Sequence, residues 1–157
     1  MTTHDIELPA TGSEEKVATA FPTVFNWHYK FGHEDLVRLY EKGKTLQWNA
    51  TTDIDWKIDV DPERVRISDT DAFDAVLNTP QKLDMKTRSH MNHHMNAWML
   101  SQFMHGEQGA LLATAEIVNT VPWMEAKFYA ANQVADEARH VEVYRRYLTE
   151  KLGVSYP

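Results

Sequence analysis

The fold is decided by residues 101–153, which read SQFMHGEQGALLATAEIVNTVPWMEAKFYAANQVADEARHVEVYRRYLTEKLG. Apolar residues recur at helical spacing before and after one short break, NTVP at 119–122. Proline is favoured at the first position of a helix, so a second helix is predicted to open at Pro122. A connection this short places the two helices side by side and antiparallel. The stretch therefore predicts a long helical hairpin.

The first helix of the hairpin extends far upstream, because no breaker other than two glycines interrupts residues 80–119. Those about 40 residues correspond to roughly 60 Å of helix, and residues 122–153 to roughly 45 Å. Shorter helices are predicted over 33–45, with an end near Gly43, and over 69–77. The expected fold class is all-α, with the long antiparallel hairpin as half of a helical bundle and the short N-terminal helices packed across it.

Composition predicts the character of the remaining segments. Residues 1–20 are polar and contain a Thr-Gly-Ser break, so they are predicted to form a flexible N-terminal arm. The aromatic residues of 21–31 are expected to pack on the elements that follow them. Residues 48–62, dense in Asp and Thr, are predicted to form an ordered loop. No linker or internal repeat divides residues 21–157, which are predicted to form one folded region.

Composition also excludes several classes of protein. The net charge is −7, from 16 Lys and Arg against 23 Asp and Glu, and the basic residues do not cluster, which disfavours a nucleic-acid partner. The absence of cysteine excludes disulfide frameworks, thiolate zinc sites and iron–sulfur clusters. No apolar stretch approaches the roughly 18 residues of a membrane-spanning helix, and no secretory signal is recognised. We therefore expect a soluble, cytoplasmic protein with no membrane partner.

Two carboxylates occupy matching positions in the predicted hairpin. Glu107 and Glu137 are 30 residues apart, and their midpoint is Pro122 in the turn. They are therefore expected to face each other across the two helices, each within a stripe of apolar residues at helical spacing. Two carboxylates in such a position are costly unless they are paired, protonated or bound to a metal ion.

A histidine extends this pair into a recognisable ligand pattern. His140 follows Glu137 by three residues, which is close to one helical turn. A carboxylate on one helix and Glu-x-x-His on the next make up half of a carboxylate-bridged two-metal site in a helical bundle. Oxygen and imidazole ligands suit Fe(II) or Mn(II) and leave open positions for dioxygen. The alternative is that Glu137 and His140 form a surface pair and that Glu107 is a structural polar residue.

The run DEARH at 136–140, together with HGEQGA at 105–110, resembles the first half of the ferritin-like diiron-carboxylate oxygenases. This superfamily includes the bacterial multicomponent monooxygenases, the small subunit of class I ribonucleotide reductase and the aminobenzoate N-oxygenase type. The runs at 39–44 and 48–56 resemble the lead-in of uncharacterised members. In all, the resemblance covers residues 22–157.

The resemblance implies that three residues are catalytic metal ligands, namely Glu107, Glu137 and His140. Their cofactor would be two iron ions (Fe/Fe) or one manganese and one iron ion (Mn/Fe). Asp136 would accept a hydrogen bond from a ligand histidine and so orient it, and Arg139 would pair with acidic residues around the site. Tyr144, one turn beyond His140, would lie either beside the metals or in the core with its hydroxyl hydrogen-bonded.

The resemblance accounts for only half of the ligands of the superfamily's metal site. The superfamily uses a second Glu and a second Glu-x-x-His, whereas only 17 residues, none of them histidine, follow His140. Residues 21–157 are therefore expected to be the N-terminal half of a ferritin-like domain. A missing C-terminal half, a distinct subunit or a symmetric copy of the chain would complete it.

The implied function is that of a dimetal oxygenase or oxidase, which activates O2 to oxidise a small organic substrate. An electron-donating reductase or ferredoxin would supply the electrons. A hydrophobic or aromatic, arylamine-like substrate is expected, because the small residues Ala126 and Ala130 leave room near the predicted site. The alternatives are a symmetric ferritin-like ferroxidase that binds iron as a homo-oligomer, and a non-catalytic helical interaction fragment.

Other signals are weaker. His93 is fourteen residues from Glu107, about 21 Å along a helix, which is too far for a ligand of the same metal. For His90, His93 and His94 we favour a surface or an interface over a separate metal site. Apolar residues cover more than one face of the first long helix, which carries these histidines, and this indicates contact with a partner chain. The acidic run at 53–61 lacks the glycine and the glutamate that an EF-hand requires.

Overall fold

The computed structural model describes residues 18–61 and 84–157. Its helices are α1 (Glu34–Thr45), α2 (Met85–Thr120) and α3 (Met124–Arg146), and α3 runs on into a wider π-helical segment, Tyr147–Leu152. These residues contain no β-strand, so the predicted all-α class is confirmed for the part of the chain that the structure describes. No helix within the same ranges has the length and apolarity needed to cross a membrane.

The helix bounds agree closely with the prediction. α1 matches the helix predicted over 33–45, α2 ends at Thr120, within the predicted break at 119–122, and α3 begins at Met124, two residues after the predicted start. Helical geometry ends before Gly153, which takes a left-handed conformation with φ of 68° that glycine adopts without steric cost. Some predictions fall outside the described residues: the arm over 1–17, the end of the loop at residue 62, the helix over 69–77 and the start of the first long helix at residue 80.

The described residues fall into two compact units. The turn unit contains residues 18–55 and 104–143, that is, α1 and the parts of α2 and α3 on either side of their connection. The terminal unit contains residues 56–61, 84–103 and 144–157. The three predicted metal ligands all belong to the turn unit.

An extended segment fastens the connection between α2 and α3. The Val24 amide donates to the Asn119 carbonyl at 2.8 Å, and the Asn26 side chain donates to the Pro122 carbonyl at 2.8 Å. The last carbonyls of a helix have no partner within the helix. These two bonds therefore stabilise the turn that sets the register of the hairpin.

Glu125, in the first turn of α3, holds the chain that leads into α1. Its carboxylate is buried and accepts hydrogen bonds from the Gly32 and His33 amides, the latter at 3.0 Å. Hydrogen bonds from its own amide and from those of His33 and Gly32 hold the pKa of Glu125 below its usual value. The position suits an anion, because the N-terminal end of a helix is electropositive.

The aromatic residues of 21–31 pack on the elements that follow them only in part. Each is more than half exposed: Phe21, Phe25, Trp27, Tyr29 and Phe31. Phe31 makes only an edge contact with Phe128, at 5.8 Å between ring centroids. Side chains alternate in direction along an extended chain, and the less exposed positions are taken by Val24 and Asn26.

α1 packs closely on α3 through a glycine. A Cβ atom on Gly43 would lie 2.5 Å from the side-chain nitrogen of Asn132, so a larger residue would displace that side chain. The same nitrogen donates to the Tyr40 carbonyl at 3.0 Å, and the Tyr40 ring lies 5.3 Å from that of Phe128. The close approach holds α1 and the loop after it against the helix that carries two of the candidate ligands.

The terminal unit is built around five buried residues, Asn96, Ala97, Ser101, Leu148 and Leu152. The Tyr156 amide donates to Ser101 Oγ at 3.0 Å, so the C-terminal segment is fastened to α2. The Lys151 ammonium donates to the carbonyls of Trp56 and Ile58, at 2.5 and 2.8 Å. These bonds order the described end of the loop that was predicted over 48–62.

Candidate metal centre

Three side chains of the turn unit converge as the hairpin register predicts. Glu107 comes from α2, and Glu137 and His140 come from α3. One ligand atom from each lies within 4.8 Å of the other two. Within residues 18–61 and 84–157, no other group of three or more His, Asp and Glu side chains meets this criterion.

The imidazole of His140 faces both carboxylates. Its Nδ1 atom lies 3.1 Å from Glu137 Oε2 and 3.4 Å from Glu107 Oε2. A single nitrogen between two carboxylate oxygens occupies a favourable position when it carries a proton. The same three donor atoms can turn to a shared cation, because oxygen and imidazole nitrogen are common ligands of divalent metals.

The burial of the group is graded. The Glu137 side chain is 10 % exposed, that of Glu107 27 % and that of His140 42 %. Burial alone raises the pKa of Glu137, but hydrogen bonds with Glu107, Gln133 and His140 outweigh it, and the pKa lies below its usual value. Glu137 is therefore an ionised carboxylate at neutral pH, which is the form that binds metal.

Gln133 is a contact that sequence reasoning missed. Its side-chain nitrogen donates to Glu137 Oε1 at 3.3 Å, while Glu137 Oε2 faces His140. The two oxygens of this carboxylate thus have different neighbours. The spacing of one helical turn between Gln133 and Glu137 was the available signal.

Asp136 and Arg139 join α3 to the loop that follows α1. The Arg139 guanidinium forms an ion pair with Asp136 and donates to Gln47 Oε1 at 2.7 Å and to the Trp48 carbonyl at 2.9 Å. Gln47 also donates to the Asp136 carboxylate at 3.1 Å, and the guanidinium lies over the Trp48 ring at 4.8 Å. The role of Asp136 as acceptor for a ligand histidine, and that of Arg139 around the metals, stay predictions.

Tyr144 belongs to the terminal unit, outside the group of three ligands. Its ring lies 6.2 Å from the ring of Phe103, at an angle of 51°. The side chain is half-buried, and the expected core position with a hydrogen-bonded hydroxyl stays a prediction. A role for its hydroxyl beside the metals stays a prediction.

The donor set suits a hard or borderline divalent cation. Two carboxylates and one imidazole can hold one ion with open coordination positions, and the ligands sit on helices rather than on loops. A centre of two ions would need further ligands from outside the group. Comparisons of the chain with protein-family models, with curated proteins and with solved structures found no match.

Proposed function

We propose that this chain is the N-terminal half of a ferritin-like dimetal oxygenase or oxidase, with an Fe/Fe or Mn/Fe centre that a second polypeptide completes. The observation that carries the proposal is the convergence of Glu107, Glu137 and His140 from two antiparallel helices. When bound, the metal pair would supply the activation of O2 for oxidation of an organic substrate.

The three residues would divide the work of holding the metals. Glu137, the most buried and an ionised carboxylate, would anchor an ion from the side of α3. Glu107 would bind from α2, and His140 would supply the nitrogen ligand beside Glu137. Because all three lie on helices fastened by the N-terminal segment, their separation is set before any ion binds.

A second polypeptide is favoured by the size of the ligand group and by the exposed surface of the turn unit. The two carboxylates and one imidazole that converge among the described residues are half of the ligand set of a two-metal site in a helical bundle. On α2, Leu112 and Ile117 are 60 % and 44 % exposed, and large apolar side chains left in water favour coverage by another surface. The further partners of the proposal are a reductase or ferredoxin and a hydrophobic or aromatic, arylamine-like substrate.

Metal binding tests the proposal directly. The full chain, stripped of metal, is reconstituted with Fe(II) or Mn(II) under anaerobic conditions, and the bound metal is counted in wild type, Glu137→Ala and Glu142→Ala. Glu142 is the matched control, because it lies on α3 and contacts Thr51 at 3.3 Å rather than the ligand group. We expect the bound metal to fall by the share held by the Glu107 group in Glu137→Ala and to stay at the wild-type level in Glu142→Ala. Equal binding by all three proteins would reject the proposal.

A symmetric ferroxidase is the second candidate, favoured by the 42 % exposure of His140 at the edge of the group. Two facing copies would bring together four carboxylates and two imidazoles, enough for two ions. Such a homo-oligomer would oxidise iron in the absence of any organic substrate or second protein. The mass in solution and the rate of Fe(II) oxidation by the chain alone therefore separate the two candidates.

A further inference from the structure

Three histidines of α2 come together in the terminal unit. The ring centroids of His90 and His94 lie 4.4 Å apart, and those of His93 and His94 lie 5.2 Å apart. His90 and His94 are one helical turn apart, a spacing at which two imidazoles can bind the same cation. Helix geometry thus supplies two nitrogen ligands without any contribution from the Glu107 group.

The C-terminal segment holds one of these rings in position. The hydroxyl oxygen of Tyr156 lies 2.5 Å from His94 Nδ1, and the Tyr156 amide is fastened to the buried Ser101. When Nδ1–H donates to the phenol oxygen, the lone pair of the other ring nitrogen, Nε2, is free to bind a metal. Histidine ligands in metal sites are oriented in this way, by a hydrogen bond from the nitrogen that does not bind the metal.

His94 is also partly buried beside its two neighbouring histidines. Burial and the neighbouring His90 and His93 lower the pKa of His94. Nδ1 of His93 is buried and has no hydrogen-bond partner among the residues that the structure describes. Three imidazoles and the Tyr156 hydroxyl are therefore close together in this part of α2.

We propose that His90 and His94 bind a divalent transition metal ion of the Zn²⁺ type, with Tyr156 as the residue that orients His94. Imidazole nitrogen suits Zn²⁺, Ni²⁺ and Cu²⁺. His90 lies at the exposed side of the pair, so water completes the coordination of the ion. The site uses none of the three ligands of the proposed dimetal centre and does not depend on that proposal.

Zinc titration of the full chain tests the site. The parent protein is His140→Ala, which removes a ligand of the Glu107 group, and Zn²⁺ affinity is measured by competition with a chromophoric chelator. We expect one Zn²⁺ per chain in the parent protein. Adding His90→Ala or His94→Ala should weaken binding about tenfold or more, and adding Tyr156→Phe should weaken it about 10-fold to 100-fold.

The controls remove the same kind of side chain elsewhere. His28→Ala deletes an exposed imidazole, and Tyr129→Phe removes a hydroxyl from α3; both should leave Zn²⁺ affinity unchanged. Circular dichroism checks that each variant is folded, and the exposed His90 keeps the test decisive if His94→Ala does not fold. Zn²⁺ binding that is absent from the parent, or unchanged by His90→Ala, would overturn the proposal. Unchanged affinity in Tyr156→Phe would overturn the role of Tyr156.

Discussion

Replacing Glu107 with glutamine separates a metal-binding role from a structural one. In the metal-free chain, two carboxylates and one imidazole have ligand atoms within 4.8 Å of one another. Glutamine keeps the length of the side chain, removes one negative charge and offers an N–H donor to Glu137. We therefore expect Glu107→Gln to raise the free energy of unfolding of the metal-free chain.

The size of the gain follows from the geometry. When both carboxylates are ionised, two unit charges no more than 4.8 Å apart repel each other by at least about 3 kcal/mol at an effective dielectric constant of about 20, and a proton shared between Glu107 and Glu137 relieves this repulsion. The Glu107 side chain is 27 % exposed and lies 3.4 Å from His140, so solvent and the imidazole offset much of this repulsion. The expected gain at pH 7 is about 1 kcal/mol. With metal present the order should reverse, because wild type gains about 3 kcal/mol at a metal concentration of 100 Kd and the variant lacks one ligand.

Urea denaturation at pH 7 measures both effects, once with a chelator and once with excess Mn²⁺. Glu142→Gln is the control, because it removes the same charge from α3 outside the ligand group, and it should respond to Mn²⁺ as wild type does. If the Glu107 carboxylate had only a structural role, its replacement would destabilise the metal-free chain and leave the response to Mn²⁺ unchanged. If Glu107→Gln lost more than about 1 kcal/mol in the presence of chelator and kept the full gain from Mn²⁺, the assignment of Glu107 as a metal ligand would be wrong.

Further predictions concern the stability of the chain. Glu125→Gln should lower the melting temperature at pH 7, and this difference should shrink as the pH falls below the unfolded pKa of the carboxyl group. Because the pKa of Glu125 is lowered in the folded chain, its ionised carboxylate adds to the free energy of unfolding. This stabilisation is present above the unfolded pKa of about 4.3 and is lost as the pH falls through the folded pKa. A difference in melting temperature that does not depend on pH would contradict this prediction. Leu148→Ala, at a residue 1 % exposed, should cost about 2 to 5 kcal/mol in urea denaturation, and a loss under about 1 kcal/mol would show that the position is not well packed. Gly153→Ala should cost about 1 kcal/mol because φ is 68°, whereas Gly106→Ala on α2, where a Cβ meets nothing within 4 Å, should stabilise the chain.

Local sequence is sufficient to predict the helices and the facing of Glu107 and Glu137. A helix advances by a constant rise per residue, so positions equidistant from a short turn come to the same height on neighbouring helices. The spacing Glu-x-x-His places Glu137 and His140 on one face for the same reason. These features depend on residues close in sequence or on the position of one turn.

The contacts around the site depend on the tertiary structure. Gln47 reaches Asp136 and Arg139 across about 90 residues of sequence, and Tyr156 reaches His94 across 62. No periodic sequence pattern predicts these side-chain contacts, because they depend on how irregular segments pack on the helices. The unexpected exposure of the aromatic residues at 21–31 has the same origin.

Helix periodicity and one short turn are enough to predict the all-α class of the described residues, the hairpin and the convergence of Glu107, Glu137 and His140, because helix geometry converts sequence spacing directly into position. The graded burial of these side chains, the hydrogen bond from Gln133 to Glu137 and the contact of His94 with Tyr156 depend on the tertiary structure. Burial and hydrogen bonding depend on every group that surrounds a side chain. They are therefore set by the packing of distant segments and not by the residues next to it in the chain.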